Sequence, residues 1–196
     1  MADGVIVSPD ELEAIRAQAL EEYPEESCGV IVARGDARRL LRCRNVQNDL
    51  HARDPERNPR TARTAYHIDP QDLLRIGRLE SEGFGVAVIY HSHVDAGAYF
   101  SETDRRQALM DGEPTYPDTT YLVTSVVAGR VEATTAFRWD ETRREFLPVA
   151  SWDASTGSSA GFAGAIDPGG EAVRSEPKAS DERRKGGEAP LRGETR

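Results

Sequence analysis

The chain has 196 residues, of which 38% are hydrophobic and 30% are charged, and its formal net charge is −9 at pH 7. Because an acidic protein repels phosphate backbones, we expect no nucleic-acid partner. No apolar run approaches the roughly 20 residues that span a bilayer, and the N-terminus lacks a basic segment followed by an apolar stretch. We therefore expect no membrane association and a cytoplasmic location.

The large apolar side chains are concentrated in the first three quarters of the chain. Residues 1–150 contain enough of them for one hydrophobic core, whereas residues 151–196 are rich in glycine, serine, alanine, glutamate and arginine. A segment of that composition buries too little apolar surface to offset the entropy lost on ordering. We predict one domain over residues 1–150 and a disordered, low-complexity tail over residues 151–196.

The first helix has well-defined start and stop signals. Ser8 can cap it, Pro9 suits its first position, and Glu11 completes a capping box. Proline disfavours helix in the residue before it, so the helix should end near Tyr23. The segments that follow predict a buried strand, a hairpin turn and a partner strand: residues 28–33, 34–37 and 40–46.

A long polar segment separates this hairpin from the second helix. Residues 47–64 include two prolines and four arginines, and we expect an exposed loop, which at this length is often functional. A short strand is predicted over residues 66–68, and Asp69-Pro70 begins a helix that runs to about Glu82. Four side chains of this helix are expected to face the core: Leu73, Leu74, Ile76 and Leu79.

The second half of the domain is expected to supply the central strand. Residues 86–90 form a continuous apolar, β-prone run, as expected for a strand that is covered on both faces. A loop over residues 94–100 leads to a third helix, which Ser101 can cap. A strand pair over residues 121–128 and 131–139 completes a mixed α/β (α+β) domain with helices packed on a sheet.

Three residues near the end of the central strand form a candidate metal site. His91 and His93 are two positions apart, so in extended backbone both imidazoles project from the same side. Asp104 follows in the first turn of the third helix, and the intervening loop can bring that turn back to the strand end. Two nitrogens and one carboxylate oxygen would leave the fourth tetrahedral position to water, which is the pattern of a catalytic zinc site. Hydrolysis there also needs a carboxylate outside the ligand set as general base.

The spacing of these residues resembles a known family signature. His91-x-His93, then seven residues, then Ser101-x-x-Asp104 resembles the motif of the JAMM (MPN+) metallopeptidases, which pair it with an upstream stretch like Pro-x-Glu-x-Cys-Gly. This chain has Pro24-Glu-Glu-Ser-Cys-Gly29. The resemblance implies roles for five residues: His91, His93 and Asp104 as zinc ligands, Glu26 as general base, and Ser101 as a donor to the oxyanion.

The resemblance covers about residues 5–150 in element order, and it implies a fold and an activity. The fold would be an MPN/JAMM-like mixed β-sheet flanked by helices, in a layout like that of cytidine deaminases. The activity would use one zinc ion per chain to hydrolyse a peptide or isopeptide bond after the C-terminal Gly-Gly of a ubiquitin-like protein. The short spacing between motifs resembles the bacterial branch, which trims residues from sulfur-carrier proteins and includes a cysteine-releasing type. Val94 departs from the family, which often has proline there.

Some of these residues have simpler alternative interpretations. Asp104 at a helix start is favourable to the helix dipole, and Ser101 is a suitable N-cap. Glu25 competes with Glu26 for the role of base, although the spacing to Cys28 favours Glu26. The arginines of segment Arg53–Arg63 are interpreted as a solvated face, with the alternative that they grip an acidic protein substrate.

The sequence leaves one alternative function and argues against another. A non-catalytic MPN-type module would bind a protein partner without cleaving it. A zinc nucleoside deaminase would use His-x-Glu with a distant Pro-Cys-x-x-Cys, but the two cysteines here, Cys28 and Cys43, form no such motif. Cys28 is interpreted as a buried strand residue rather than as a nucleophile. The oligomeric state is not indicated.

Overall fold

The structure is a computed structural model, and it describes residues 6–154 and 160–161. The helices are α1 (Pro9–Glu22), α2 (Gln47–Arg53), α3 (Pro70–Ser81) and α4 (Glu102–Ala108). The strands are β1 (Cys28–Arg34), β2 (Ala37–Cys43), β3 (Gly85–Val94), β4 (Leu109–Met110), β5 (Glu113–Pro114), β6 (Thr120–Val127), β7 (Arg130–Asp140), β8 (Glu145–Asp153) and β9 (Ala160–Gly161).

A mixed sheet organises the described part of the chain, with the strand order β2-β1-β3-β6-β7-β8-β9. The β3–β6 pair is parallel, and the other neighbouring pairs in this sheet are antiparallel. Strands β4 and β5 form a separate antiparallel pair. Because helices pack on this sheet, the predicted mixed α/β (α+β) architecture is confirmed.

Helix α1 covers one face of the sheet. The predicted capping box is present: the Glu11 N–H donates to Ser8 Oγ, and the Ser8 N–H donates to the Glu11 carboxylate. Ile15 packs against strand residues in a buried cluster, and this burial stabilises the helix more than its intrinsic propensity does. The cluster consists of Val7, Ile15, Ile31, Val88, Tyr90, Leu122, Ala136 and Trp152.

Helices α3 and α4 cover the opposite face. The strand residues that they contact alternate along each strand with those that contact α1, and successive side chains of a strand point to opposite faces. Helix α3 buries Ile76 and Leu79 in a cluster with Val30 of β1. Helix α4 buries Ala108 in a cluster with Val123 of β6.

A hydrogen-bonded cluster fixes β1 against β3 on the α1 side. Tyr90 is fully buried, and its hydroxyl donates to Gln18 Oε1 at 2.7 Å, while Gln18 Nε2 donates to the Cys28 carbonyl oxygen at 3.1 Å. A Cβ atom on Gly29 would collide with the Tyr90 hydroxyl and with the Leu41 carbonyl oxygen. Glycine is therefore needed at position 29 of the upstream motif, because any side chain there would prevent the close approach of the neighbouring strands.

The hairpin between β1 and β2 forms as predicted, but its second strand begins earlier than residue 40. Gly35 takes a φ of 57°, which allows a two-residue turn. Pairing therefore starts at once, between Arg34 and Ala37. The sequence signal is weak there because residues 37–39, an alanine and two arginines, are exposed in a strand at the edge of the sheet.

The prediction of an exposed loop over residues 47–64 is wrong for its first part, which forms α2. The Asn45 carboxamide oxygen accepts a hydrogen bond from the Gln47 N–H at 3.0 Å and so satisfies a donor that a helix start leaves free. The residue at the N-cap position offers no side-chain cap. Sequence signals missed the helix because its stabilising contacts come from outside the usual capping positions.

Two further expectations near α3 are corrected. The strand predicted over residues 66–68 is reduced to an isolated antiparallel bridge between Ile68 and Asn45. Leu73 and Leu74, both predicted to face the core, are 49% and 65% exposed. Leu74 lies about 200° around the helix from the buried Ile76, and Leu73 lies at the flank of the buried stripe near the start of the helix.

The predicted tail over residues 151–196 lies outside the described residues, apart from residues 151–154 and 160–161. In these, β8 continues to Asp153 and pairs with β9, so the sheet extends past residue 150. The domain boundary and the disorder of the remaining tail stay predictions. None of the helices in the described residues has the length and apolarity needed to cross a membrane.

Candidate metal centre

Strand β3 carries the two predicted ligand histidines into the interior. The strand continues through Val94, so His91 and His93 both lie in extended backbone, and both are buried. Their side chains point to the same side, toward α4, and their Nε2 atoms are 3.3 Å apart. The alternation of side chains along the strand therefore brings the two imidazoles together as expected.

Asp104 meets the histidines from the first turn of α4. The Asp104 N–H donates to Ser101 Oγ at 3.2 Å, and Asp104 Oδ2 accepts from the Ser101 N–H at 2.8 Å. This capping box orients the buried carboxylate, whose oxygens lie 3.2 Å from His91 Nε2 and 3.4 Å from His93 Nε2. The helix-capping interpretation of Asp104 and its interpretation as a ligand are therefore compatible.

The three side chains have the composition and spacing of a divalent metal site. Zinc–nitrogen bonds are about 2.0–2.1 Å long, which puts neighbouring corners of the coordination tetrahedron about 3.3–3.4 Å apart. The distance between the two Nε2 atoms, 3.3 Å, matches one such edge. One donor atom from each of His91, His93 and Asp104 lies within 4.8 Å of the others. The triad could therefore hold a metal ion and leave a fourth position open.

Neighbouring groups orient both imidazoles. His93 Nδ1 lies 2.9 Å from the Gly97 carbonyl oxygen, and because a carbonyl can only accept, Nδ1 carries a proton, which leaves Nε2 as the ring atom that could bind a metal ion. His91 Nδ1 has no hydrogen-bond partner within the described residues. The His91 ring is instead stacked on Tyr66, with 4.7 Å between ring centroids. Sequence reasoning missed Tyr66 and Gly97, since neither belongs to the motif.

Glu26 reaches the site because of the register between β1 and β3. Cys28 pairs with His91 in these antiparallel strands, so continuing the register brings Glu26 opposite His93. The Glu26 residue is only 6% exposed, and it lines the same cavity as His93 and Asp104. A carboxylate outside the triad thus lies beside it.

The neighbouring Glu25 has a different environment. It is exposed, and its Oε1 accepts a hydrogen bond from Asn48 Nδ2 at 2.7 Å. The segment is held in this orientation by Ser27, whose N–H donates to Ser92 Oγ at 2.8 Å, and by the Ser92 N–H, which donates to the Ser27 carbonyl oxygen at 3.0 Å. The structure therefore brings Glu26, and not Glu25, to the histidines.

The electrostatics of the site favour different protonation states for its two carboxylates. Burial raises the pKa of Glu26, and the charges of His91 and His93 offset this only in part, so the pKa is about 7. Burial also opposes ionisation of Asp104, but the charges and hydrogen bonds of the histidines and Ser101 outweigh it and hold the pKa well below its usual range. Asp104 is an anion at neutral pH, as a ligand must be, whereas Glu26 can exchange a proton near pH 7.

A cavity of about 370 Å³ opens beside the triad. Ser101 lines it, and so does Tyr99, whose ring meets the His93 ring edge-on with 5.0 Å between centroids. Tyr99 is half exposed, and the sequence assigned it no role. The lining also includes Arg60 and Arg63, from the segment interpreted as a solvated face. Part of that segment is therefore a wall of the site.

The cysteines do not belong to the described lining of the cavity. Cys28 and Cys43 are buried free thiols. Burial raises the pKa of Cys43 to about 12 and raises the pKa of Cys28 well above its ordinary value. Because the thiolate is the reactive form, such thiols are poor nucleophiles. The interpretation of Cys28 as a buried strand residue is confirmed.

Comparison with known proteins places these features in a family. A model of the family described as prokaryotic homologs of the JAB domain matches residues 8–142. The CysO-cysteine peptidase of Mycobacterium tuberculosis is 30% identical over 122 residues, which cover 62% of this chain and 73% of that protein. A protein of Thermus thermophilus named "Probable TtuB-protein conjugate cleaving protease" is 34% identical over 98 residues, which cover 50% of this chain and 58% of that protein.

A phage protein is also similar to part of this chain. The tail tip assembly protein K of Escherichia phage N15 is 33% identical over 97 residues, which cover 49% of this chain and 33% of the phage protein. The chain thus spans about a third of that relative. The family match includes both the Glu26 segment and the segment from His91 to Asp104. The chain belongs to the JAMM (MPN+) family, in the bacterial branch formed by the prokaryotic homologs of the JAB domain.

Proposed function

We propose that this chain is a zinc-dependent metallopeptidase that hydrolyses a peptide or isopeptide bond after the C-terminal Gly-Gly of a ubiquitin-like sulfur-carrier protein. The observation that carries the proposal is the meeting of His91, His93 and Asp104 beside a cavity that Glu26 also lines. Metal ligands and a separate acid–base group in one cavity are what metal-assisted hydrolysis requires.

The relatives support the choice of substrate class. The mycobacterial relative is a CysO-cysteine peptidase, and the Thermus relative is named for cleaving protein conjugates of TtuB. Both names describe peptide-type bonds at a protein partner rather than a nucleoside or a nucleic acid. The acidic charge of this chain agrees with a substrate that is not a polyanion.

In the proposed reaction, Glu26 moves the proton. A bound zinc ion would supply Lewis acidity, which lowers the pKa of a coordinated water to about 7. A Glu26 carboxylate oxygen accepts a proton from the attacking water and returns it to the nitrogen of the leaving amine. Burial raises the pKa of the Glu26 carboxyl group, which favours a group that can return the proton as well as accept it.

Ser101 is the proposed donor to the carbonyl oxygen on which negative charge develops. Its Oγ accepts the Asp104 N–H in the capping box, so the hydroxyl proton is not used by the cap. Ser101 also lines the cavity, where that proton can be donated to a substrate. One donor aimed at developing charge contributes about 3 kcal/mol to transition-state stabilisation.

The test of the base uses two adjacent glutamates. We expect Glu26→Gln to lower kcat of the zinc-loaded protein by about 10²–10⁴-fold, because the amide cannot accept the proton. The matched control is Glu25→Gln, which makes the same change at the exposed neighbour and should leave turnover unchanged. Cleavage of a Gly-Gly-extended sulfur carrier is followed by mass spectrometry. A folded Glu26→Gln variant with normal turnover would refute the assignment.

The test of the metal uses Asp104→Asn. The amide oxygen can still accept the Ser101 N–H, so the helix start is retained, while the anionic ligand is lost. We expect elemental analysis to find about one zinc per wild-type chain and much less in the variant after dialysis. Wild-type protein that holds no zinc and yet binds a carrier protein without cleaving it would instead identify a non-catalytic binding module.

A further inference from the structure

Two arginines that line the cavity differ in their charge partners. Arg63 donates to Asp95 Oδ2 at 2.6 Å in an ion pair, so its charge is already balanced. Arg60 donates to the Thr64 carbonyl oxygen at 3.3 Å. Within residues 6–154, no carboxylate lies within ion-pairing distance of Arg60. The wall of the cavity thus presents an exposed guanidinium group that forms no ion pair within the described residues, although it lies near enough to Glu26 for the two charges to interact.

The backbone that carries Arg60 is fixed against the site. The Arg60 carbonyl oxygen accepts a hydrogen bond from the buried Gln47 side chain at 2.8 Å. Two residues on, the Ala62 N–H donates to Asn48 Oδ1 at 2.8 Å, and the Ala62 carbonyl oxygen accepts from the Glu26 N–H at 2.7 Å. Arg60 is therefore presented from a wall that is hydrogen-bonded both to α2 and to the proposed base.

We propose that Arg60 is a specificity-determining residue that pairs with the free α-carboxylate of the residue released by cleavage. The inference rests on the proposed function and narrows its substrate: a carrier protein that bears a single amino acid after Gly-Gly, rather than a carrier joined to a lysine side chain of a folded protein. Guanidinium groups bind carboxylates through two parallel hydrogen bonds, which gives both affinity and orientation.

A substrate carboxylate in the cavity would lie near a like charge. Glu26 lines the cavity and must be ionised to take a proton from water, so it opposes binding of an α-carboxylate unless a cation faces that group. The α-carboxylate of a single leaving residue sits within about one residue length, 3.8 Å, of the bond that is cut. It therefore lies in the cavity beside the cut bond, where Arg60 is the lining arginine that forms no ion pair within the described residues.

The reaction balances without a further reactant. Water adds across the peptide bond, the carbon–nitrogen bond breaks, and the carrier ends in a glycine carboxylate. The nitrogen of the released residue gains the proton that Glu26 took from water. The α-carboxylate of that residue keeps its charge throughout, so Arg60 binds it equally before and after cleavage and acts mainly on substrate affinity.

The experiment compares two substrates that differ by one charge. A sulfur-carrier protein is extended by one alanine, either as the free acid or as the C-terminal amide, and kcat/KM is measured for each. Wild type should prefer the acid by about tenfold, as for one charge-assisted ion pair at a partly exposed site. Arg60→Gln should abolish this preference and Arg60→Lys should keep part of it. The control is Arg57→Gln, an exposed arginine of the same segment that lies outside the described cavity lining.

The outcomes distinguish a failure of the inference about Arg60 from a failure of the proposed peptidase function. An acid-to-amide ratio that falls toward unity only in Arg60→Gln, mainly through KM, supports the inference. A ratio near unity in wild type, or an unchanged ratio in Arg60→Gln, overturns it while the peptidase activity stands. An equal loss on both substrates also overturns it, because it would mean that Arg60 acts on Glu26 rather than on the substrate. Cleavage of neither substrate by zinc-loaded wild type would count against the proposed function itself.

Discussion

Substitutions of Ser101 can separate the stability of α4 from catalysis. Ser101 Oγ accepts the Asp104 N–H at 3.2 Å as the N-cap, and we propose that the same hydroxyl donates its proton to the substrate oxygen. Alanine removes both contributions. Glycine removes the hydroxyl too, but it is tolerated at an N-cap at a cost of only a few tenths of a kcal/mol. Threonine retains a hydroxyl that can both cap the helix and donate to the substrate oxygen.

The magnitudes follow from these contacts. Losing a serine N-cap to alanine costs about 1 kcal/mol, which lowers Tm by about 2–4 °C in a domain of this size. The cost should not be much larger, because the backbone N–H at position 101 still donates to the Asp104 carboxylate. Losing one oxyanion donor lowers kcat by about 10²–10³-fold.

The assay is a melting curve and a turnover measurement on each variant loaded with zinc. We expect Ser101→Ala to lose both stability and activity, Ser101→Gly to lose activity with a nearly unchanged Tm, and Ser101→Thr to keep most of both. If the hydroxyl serves only as a cap, activity should follow Tm across the series. A Ser101→Gly variant with wild-type kcat would therefore refute the donor role.

Two further predictions concern the strands that carry the site. Gly29→Ala should lower the free energy of unfolding by about 1–3 kcal/mol or more in urea titrations. Adding Tyr90→Phe should not restore this free energy, because the Leu41 carbonyl oxygen still blocks the added methyl group. Full restoration in the double variant would contradict this packing. Cys28 and Cys43 should resist iodoacetamide at pH 8 in the folded protein and react in urea, since burial raises the pKa of each thiol; rapid alkylation without urea would contradict it. Because these folded-state pKa values exceed the unfolded value of about 8.5, the thiols should stabilise the fold below that pH and cease to do so as pH rises further, which melting curves from pH 7 to 10 can check.

The site residues follow from sequence where local periodicity or a motif defines them. The spacing of His91 and His93 predicts a shared side of a strand, and the capping signal at Ser101 predicts the helix that presents Asp104. Local spacing also favours Glu26 over Glu25, but only the register of two distant strands shows that Glu26 lies opposite a histidine.

The remaining features depend on contacts between distant segments. Helix α2 is held by the amide side chains of Gln47 and Asn48, which bond to backbone groups 13 and 14 residues further along the chain, and capping rules consider only neighbouring residues. Tyr66 and Tyr99 flank the two imidazoles without any local pattern. Arg60 and Arg63 lie in the same polar segment, and the sequence does not indicate which of them forms an ion pair. The structure shows that Asp95, from a distant loop, pairs with Arg63.

The reciprocal hydrogen bonds at the start of α4 affect what can be inferred from the residues that related chains carry at these positions. An aspartate at position 104 is useful to the helix whether or not a cation is ever bound, whereas the buried His91 and His93 serve mainly the centre they face. A relative that binds no metal would therefore still have reason to keep the acid and little reason to keep the imidazoles. In a homologous chain, the presence of both histidines is thus a more informative sign of a metal site than the presence of the aspartate.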